Sequence, residues 1–118
     1  MLALKNYWLA PDLLMPDKAK NIKPEAILFE VAAHYKLTVE EIKTDKRKRP
    51  FPEIRFMCYQ LMKENVTGIT LKEIGAYWGG KDHSSIINGI KMFKNYLDTE
   101  TEYRQHYEAI LKRLEKHF

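Results

Sequence analysis

Residues 69–93 read ITLKEIGAYWGGKDHSSIINGIKMF. Two apolar-patterned segments flank a Gly-Gly pair. A polar cluster follows at once, Lys81-Asp82-His83-Ser84-Ser85. "TLKE" at 70–73 has the form of a capping box, in which a Thr hydroxyl and a Glu carboxylate three residues on satisfy the free amides of a helix start. It predicts a short helix through about Tyr77. Gly79-Gly80 supplies a turn. A second helix is expected from about Asp82 to Leu97, with Ile86, Ile90, Phe93 and Leu97 on one face. A short helix, a tight turn and a longer helix make a helix-turn-helix.

The polar cluster fits the N-terminal end of the second helix. Asp82 suits the cap, because its carboxylate accepts from first-turn amides. His83, Ser84 and Ser85 carry short donors and acceptors of the kind that reach base edges in a major groove. Behind them Ser84, Asn88, Lys91 and Asn95 form a polar stripe away from the apolar face. The ordinary alternative is a plain capped helix start. Catalysis is disfavoured: Asp82, His83 and Ser84 are sequence neighbours on one turn, and no oxyanion feature accompanies them. One His and one Asp are too few for a metal site. No cofactor and no enzymatic activity are expected.

Working outward, the segment KTDKRKRPFPEIR at 43–55 holds six Lys/Arg and two acids, a net of +4. Pro50 and Pro52 predict an extended loop in its middle. Lys46, Arg47, Lys48 and Arg49 on such a loop suit phosphates, or an arginine in a narrow minor groove. A charge run is usually only solvated surface. A basic loop beside a helix-turn-helix with a polar face favours double-stranded DNA as the partner.

The remaining pattern is helical. Pro24 is well placed to open a helix, and Ile27, Leu28, Val31 and Tyr35 share a face. "TVEE" at 38–41 is a second capping box. Ile54, Met57, Cys58, Leu61 and Met62 mark a further helix, and Tyr103, Tyr107, Ile110, Leu111 and Leu114 mark a last amphipathic one. No segment keeps a strand period. The expected fold is all-α, about six helices around a helix-turn-helix. Residues 1–20 hold Pro11 and Pro16 but also Tyr7, Trp8, Leu9, Leu13, Leu14 and Met15. Such an arm either packs back on the domain or docks a replication or regulatory protein.

The chain has 118 residues, 45% apolar and 31% charged, with a net charge of +4. That suits one folded domain with a modest core. The basic excess is mild, and it raises the expectation of a polyanionic partner without establishing one. Cys58 is the single cysteine, so no internal disulfide forms and a reducing cytoplasm fits. No run approaches the roughly 18 apolar residues needed to cross a bilayer, and no phosphate-cradling glycine loop is present.

The run EIGAYWGGKDHSSIINGIKMF resembles the C-terminal DNA-binding domain of the bacterial replication initiator DnaA, whose version is roughly EIGxxFGGRDHTTVxxAxxKI. VAAHYKLTVEEIKTDKRKR and EIRFMCYQLMKE are similar to that domain's earlier helices and basic loop. The resemblance covers about residues 24–97. It implies a fold like that of the Trp repressor and a three-part layout: an arm at 1–22, the DNA-binding domain at 23–98 and an amphipathic helix at 99–118. It implies base reading by Asp82, His83 and Ser84, with Lys81 and Ser85 close by, and Arg47 in the minor groove. Arg55, Lys63 and, through backbone amides, Leu71 and Lys72 match that domain's backbone contacts; Lys46, Lys48 and Arg49 on the basic loop and Asn88 and Lys91 on the polar stripe are expected to join them.

The match is imperfect. Lys81 replaces an arginine, Ser84 and Ser85 replace threonines, and Trp78 replaces a phenylalanine and is expected in the core. Pro50-Phe51-Pro52-Glu53 replaces a small, basic stretch, and Phe56 stands where Gln is common. With no nucleotide loop and about 23 residues ahead of the match, the resemblance implies a stand-alone bacterial or phage relative, associated with the nucleoid, that controls replication or transcription. The alternative is a protein-interaction adaptor that kept the fold and lost specific DNA binding.

Overall fold

The computed structural model describes residues 21–118. The expectations for the arm at 1–20 lie outside the described residues. Among the described residues, six α-helices and a closing 3-10 turn make up the fold: α1 Pro24–Tyr35, α2 Val39–Ile42, α3 Phe51–Asn65, α4 Leu71–Ala76, α5 His83–Thr99, α6 Thr101–Leu114, then Glu115–His117. No strand occurs among the described residues.

Local chemistry sets most boundaries. Thr38 and Thr70 each accept from the amide three residues on, and Glu41 and Glu73 accept from the Thr amides in return. Both capping boxes therefore form as expected. Pro24 sits at the start of α1, and Lys36 closes that helix in the left-handed region with φ 58°. The basic segment differs from expectation. Pro50 and Pro52 do not hold an extended loop: Pro50 is the N-cap of α3 and Pro52 lies in its first turn. First-turn amides have no intrahelical acceptor, so proline is harmless there and its fixed φ suits the helix. The loop is thus shortened to 43–50.

α3 lies at the centre, flanked by α1, α2 and α4, with α5 packed along it. Ile54, Met57, Cys58, Leu61 and Met62 are buried on α3, and Ile86, Ile90 and Phe93 on α5. Each fully buried aliphatic or aromatic side chain stabilises the fold by about 1.5–3 kcal/mol. The two helices approach closely at Gly89, where a Cβ would lie 2.6 Å from the Tyr59 ring. Trp78 is buried as expected, edge-on to Tyr59 with ring centroids 5.3 Å apart.

The final helix is part of the same core. α5 and α6 are joined through Glu100 alone. Tyr103, Tyr107, Ile110 and Leu114 are buried. Phe93 meets the Tyr107 and Tyr103 rings at 5.0 and 5.8 Å. The Tyr103 hydroxyl donates to the Glu53 carbonyl at 2.7 Å, which ties α6 to α3. A charged cluster closes the far end. Glu30 on α1, 1% exposed, receives Arg113 Nε at 3.1 Å, Lys116 Nζ at 3.2 Å and His117 Nε2 at 2.8 Å. Burial raises the Glu30 pKa, but those three donors outweigh it and hold the carboxyl below its ordinary range.

Candidate nucleic-acid interface

The turn between α4 and α5 is built on Gly75. Its carbonyl accepts from the amides of Trp78 at 2.9 Å, Gly80 at 3.1 Å and Lys81 at 3.2 Å. No side chain fits on Gly75, because a Cβ would overlap the Lys81 carbonyl oxygen. Gly79 and Gly80 adopt φ 79° and 81°, the left-handed region that glycine enters without steric penalty. The chain then leaves the turn extended at Asp82 and enters α5.

Asp82 caps α5. Its Oδ1 accepts from the Ser85 amide at 2.9 Å. That backbone hydrogen bond holds the Asp82 carboxyl below its ordinary range, so the cap is ionised at neutral pH. Asp82, His83, Ser84 and Ser85 are all exposed. So are Asn88, Lys91 and Asn95, while Ile86, Gly89, Ile90 and Phe93 point inward. The helix therefore has the two-sided character that its sequence predicts. Lys72, Ala76, Gly80, Lys81, Asp82 and His83 line an open depression at the mouth of the turn.

The basic loop lies against this site. Asp45 Oδ1 is 3.2 Å from Lys81 Nζ, so loop and α5 start are one surface. Lys46, Arg47, Lys48 and Arg49 are exposed. The Lys46 ammonium stands over the Phe51 ring, 5.1 Å from its centroid. Arg49 pairs with Glu53, and its Nη2 reaches Glu100 Oε1 at 2.8 Å. Its guanidinium also lies 5.8 Å from the centroid of the Tyr96 ring. Arg49 is thus tied to α3, α5 and the α5–α6 junction.

Arg55 is placed differently from the other expected contacts. It is 8% exposed. Its Nη1 donates to the carbonyls of Thr44 at 2.9 Å and Lys46 at 2.8 Å. It holds the basic loop from beneath. Lys63 is exposed in the last turn of α3, and Leu71 and Lys72 open α4, Leu71 half-buried and Lys72 exposed. Gly75, Gly89 and Asp45 carry parts of this geometry that sequence reasoning passed over. A glycine inside a helical pattern was the available signal for the first two.

Residues 24–92 match the model of the bacterial DnaA protein helix-turn-helix. The chain belongs to this family. The chromosomal replication initiator protein DnaA of Geotalea daltonii is 35% identical over 109 residues, which are 90% of this chain and 24% of that protein. DnaA of Geotalea uraniireducens is 35% identical over 113 residues, again 90% and 24%. DnaA of Roseiflexus castenholzii is 34% identical over 103 residues, 87% of this chain and 21% of that protein. The chain thus spans about a quarter of the length of the curated relatives it matches, the share that carries the helix-turn-helix. Membership of the DnaA helix-turn-helix family supports DNA binding. Among the described residues, no helix is long and apolar enough to cross a membrane.

Proposed function

We propose that the protein binds double-stranded DNA sequence-specifically and acts in the control of replication initiation or in transcriptional regulation, in the cytoplasm at the nucleoid. The observation that carries the reading is the exposed, capped start of α5 joined to the basic loop through Lys81 and Asp45. In this reading α5 enters the major groove. Asp82, His83, Ser84 and Ser85 meet base edges there, with Lys81 beside them. Arg47, exposed at the loop tip, enters the adjacent minor groove. Lys46, Lys48, Lys63, Lys72, Asn88, Lys91 and the Leu71 and Lys72 amides hold the sugar-phosphate backbone. Arg49 and Arg55 shape the loop rather than touch the duplex.

The adaptor alternative draws on one observation: two basic residues of the 43–55 segment, Arg49 and Arg55, are engaged within the protein. In vitro selection from a random duplex pool tests between the readings. Specific binding gives one enriched asymmetric motif. Affinity for it falls with salt, at a logarithmic slope of about −0.9 per phosphate neutralised. No enrichment and a flat salt response would favour the adaptor.

A further inference from the structure

We propose that Asp45 is a specificity-determining residue, which through its ion pair with Lys81 weakens binding to non-cognate DNA and orients the Lys81 ammonium for the preferred sequence. The inference rests on the DNA-binding reading above and gives Asp45, which that reading uses only to join loop and helix, a role in choosing between sequences.

Asp45 is an acid inside the most basic stretch of the chain. Its side chain is 85% exposed, and that of Lys81 32%. The fold does not require this pair, because exposed ion pairs contribute little to stability. A polyanion approaching the loop, however, meets a carboxylate between Lys81 and the cations at 46–48. On DNA of arbitrary sequence Lys81 must leave Asp45 to reach a phosphate, or bring the carboxylate near that phosphate. Either weakens the electrostatic, sequence-independent part of binding.

On the preferred sequence a second effect opposes the first. Lysine is a point charge on a flexible stem. The Lys81 backbone is fixed by its hydrogen bond to Gly75, and Asp45 biases the far end of its side chain toward the loop. A base-edge acceptor within reach then meets an ammonium already in place. The carboxylate is thus unfavourable on all DNA and helpful only where such an acceptor exists. Its net effect is to widen the difference between sequences.

The test uses the full chain, the duplex that it enriches from a random pool and a scrambled duplex of the same composition. Asp45→Asn keeps the size and removes the charge, and a melting curve checks that the fold is unchanged. D45N should bind the scrambled duplex about 3–10-fold more tightly, with a steeper salt slope. Its affinity for the enriched duplex should change less, so that the specificity ratio falls. Asp45→Glu should restore the ratio. In a Lys81→Met background, D45N should no longer alter it. An equal gain on both duplexes, or an unchanged ratio, would overturn the proposal while leaving specific DNA binding intact. Equal affinity of the unsubstituted protein for both duplexes would overturn the two together.

Discussion

Gly75 lies directly against the Lys81 carbonyl, so close that a Cβ on it would overlap the oxygen. The same glycine's carbonyl receives three amides of the turn. One residue thus sets both the sharpness of the turn and the direction in which α5 leaves it.

Gly75→Ala is therefore expected to be disruptive. Overpacking against well-ordered neighbours costs about 1–3 kcal/mol. Here the obstructing atoms are backbone, so the upper end applies. A melting temperature lower by about 8–12 °C should follow. Any DNA binding should fall as well, because Asp82 and His83 move with the turn. A thermal melt and a duplex titration on the same sample check both.

His83→Ala separates reading from attraction. On the enriched duplex it should weaken binding by about 1–3 kcal/mol, and on random DNA hardly at all. Lys48→Ala should weaken both to a similar extent and flatten the logarithmic salt slope by about 0.9. Equal losses on the two duplexes for His83→Ala would show that the cluster does not read sequence.

Leu114→Ala probes whether α6 is integral to the fold. Leu114 is wholly buried, and truncating a buried leucine costs about 2–5 kcal/mol. A single cooperative transition at a lower midpoint is expected in denaturant. Two separate transitions would mean that α6 is an appendage.

Acid should loosen the fold through three carboxyls. Asp82 and Glu73 lie below their ordinary range because they accept backbone amides at helix starts. Glu30 lies below it because His117, Lys116 and Arg113 overcome its burial. A folded-state pKa below the unfolded one gives stability that is present above the unfolded value, about 4. It is lost as pH falls through the lowered value. The melting temperature should therefore drop steeply below about pH 4, and less steeply in Asp82→Asn. Comparing the two pH profiles of melting tests it.

These features differ in how far they are legible in the chain. Thr70, Glu73, Thr38, Glu41 and Asp82 act on amides a few residues away, so their spacing announces the helix starts. The inward face of α5 is legible for the same reason, as a periodicity. Partners distant in sequence are not. Arg49 has a legible local partner in Glu53 four residues on, but it also reaches Glu100 across 51 positions, and nothing local announces that contact. Gly89 looks like a weak point in a helix until Tyr59 is seen beneath it. The prolines at 50 and 52 mislead for another reason: proline suits both extended segments and the first turn of a helix, and here they open α3.

Arg55 carries a consequence for the energetics of association. Its bonds to the Thr44 and Lys46 carbonyls choose the loop's path as the protein folds. A loop ordered only on meeting its partner would subtract about 1–2 kcal/mol for each residue immobilised at that moment. Anchored from below at Thr44 and Lys46, this loop would have less of that freedom left to lose, and in the proposed DNA complex less of its cations' attraction would be offset.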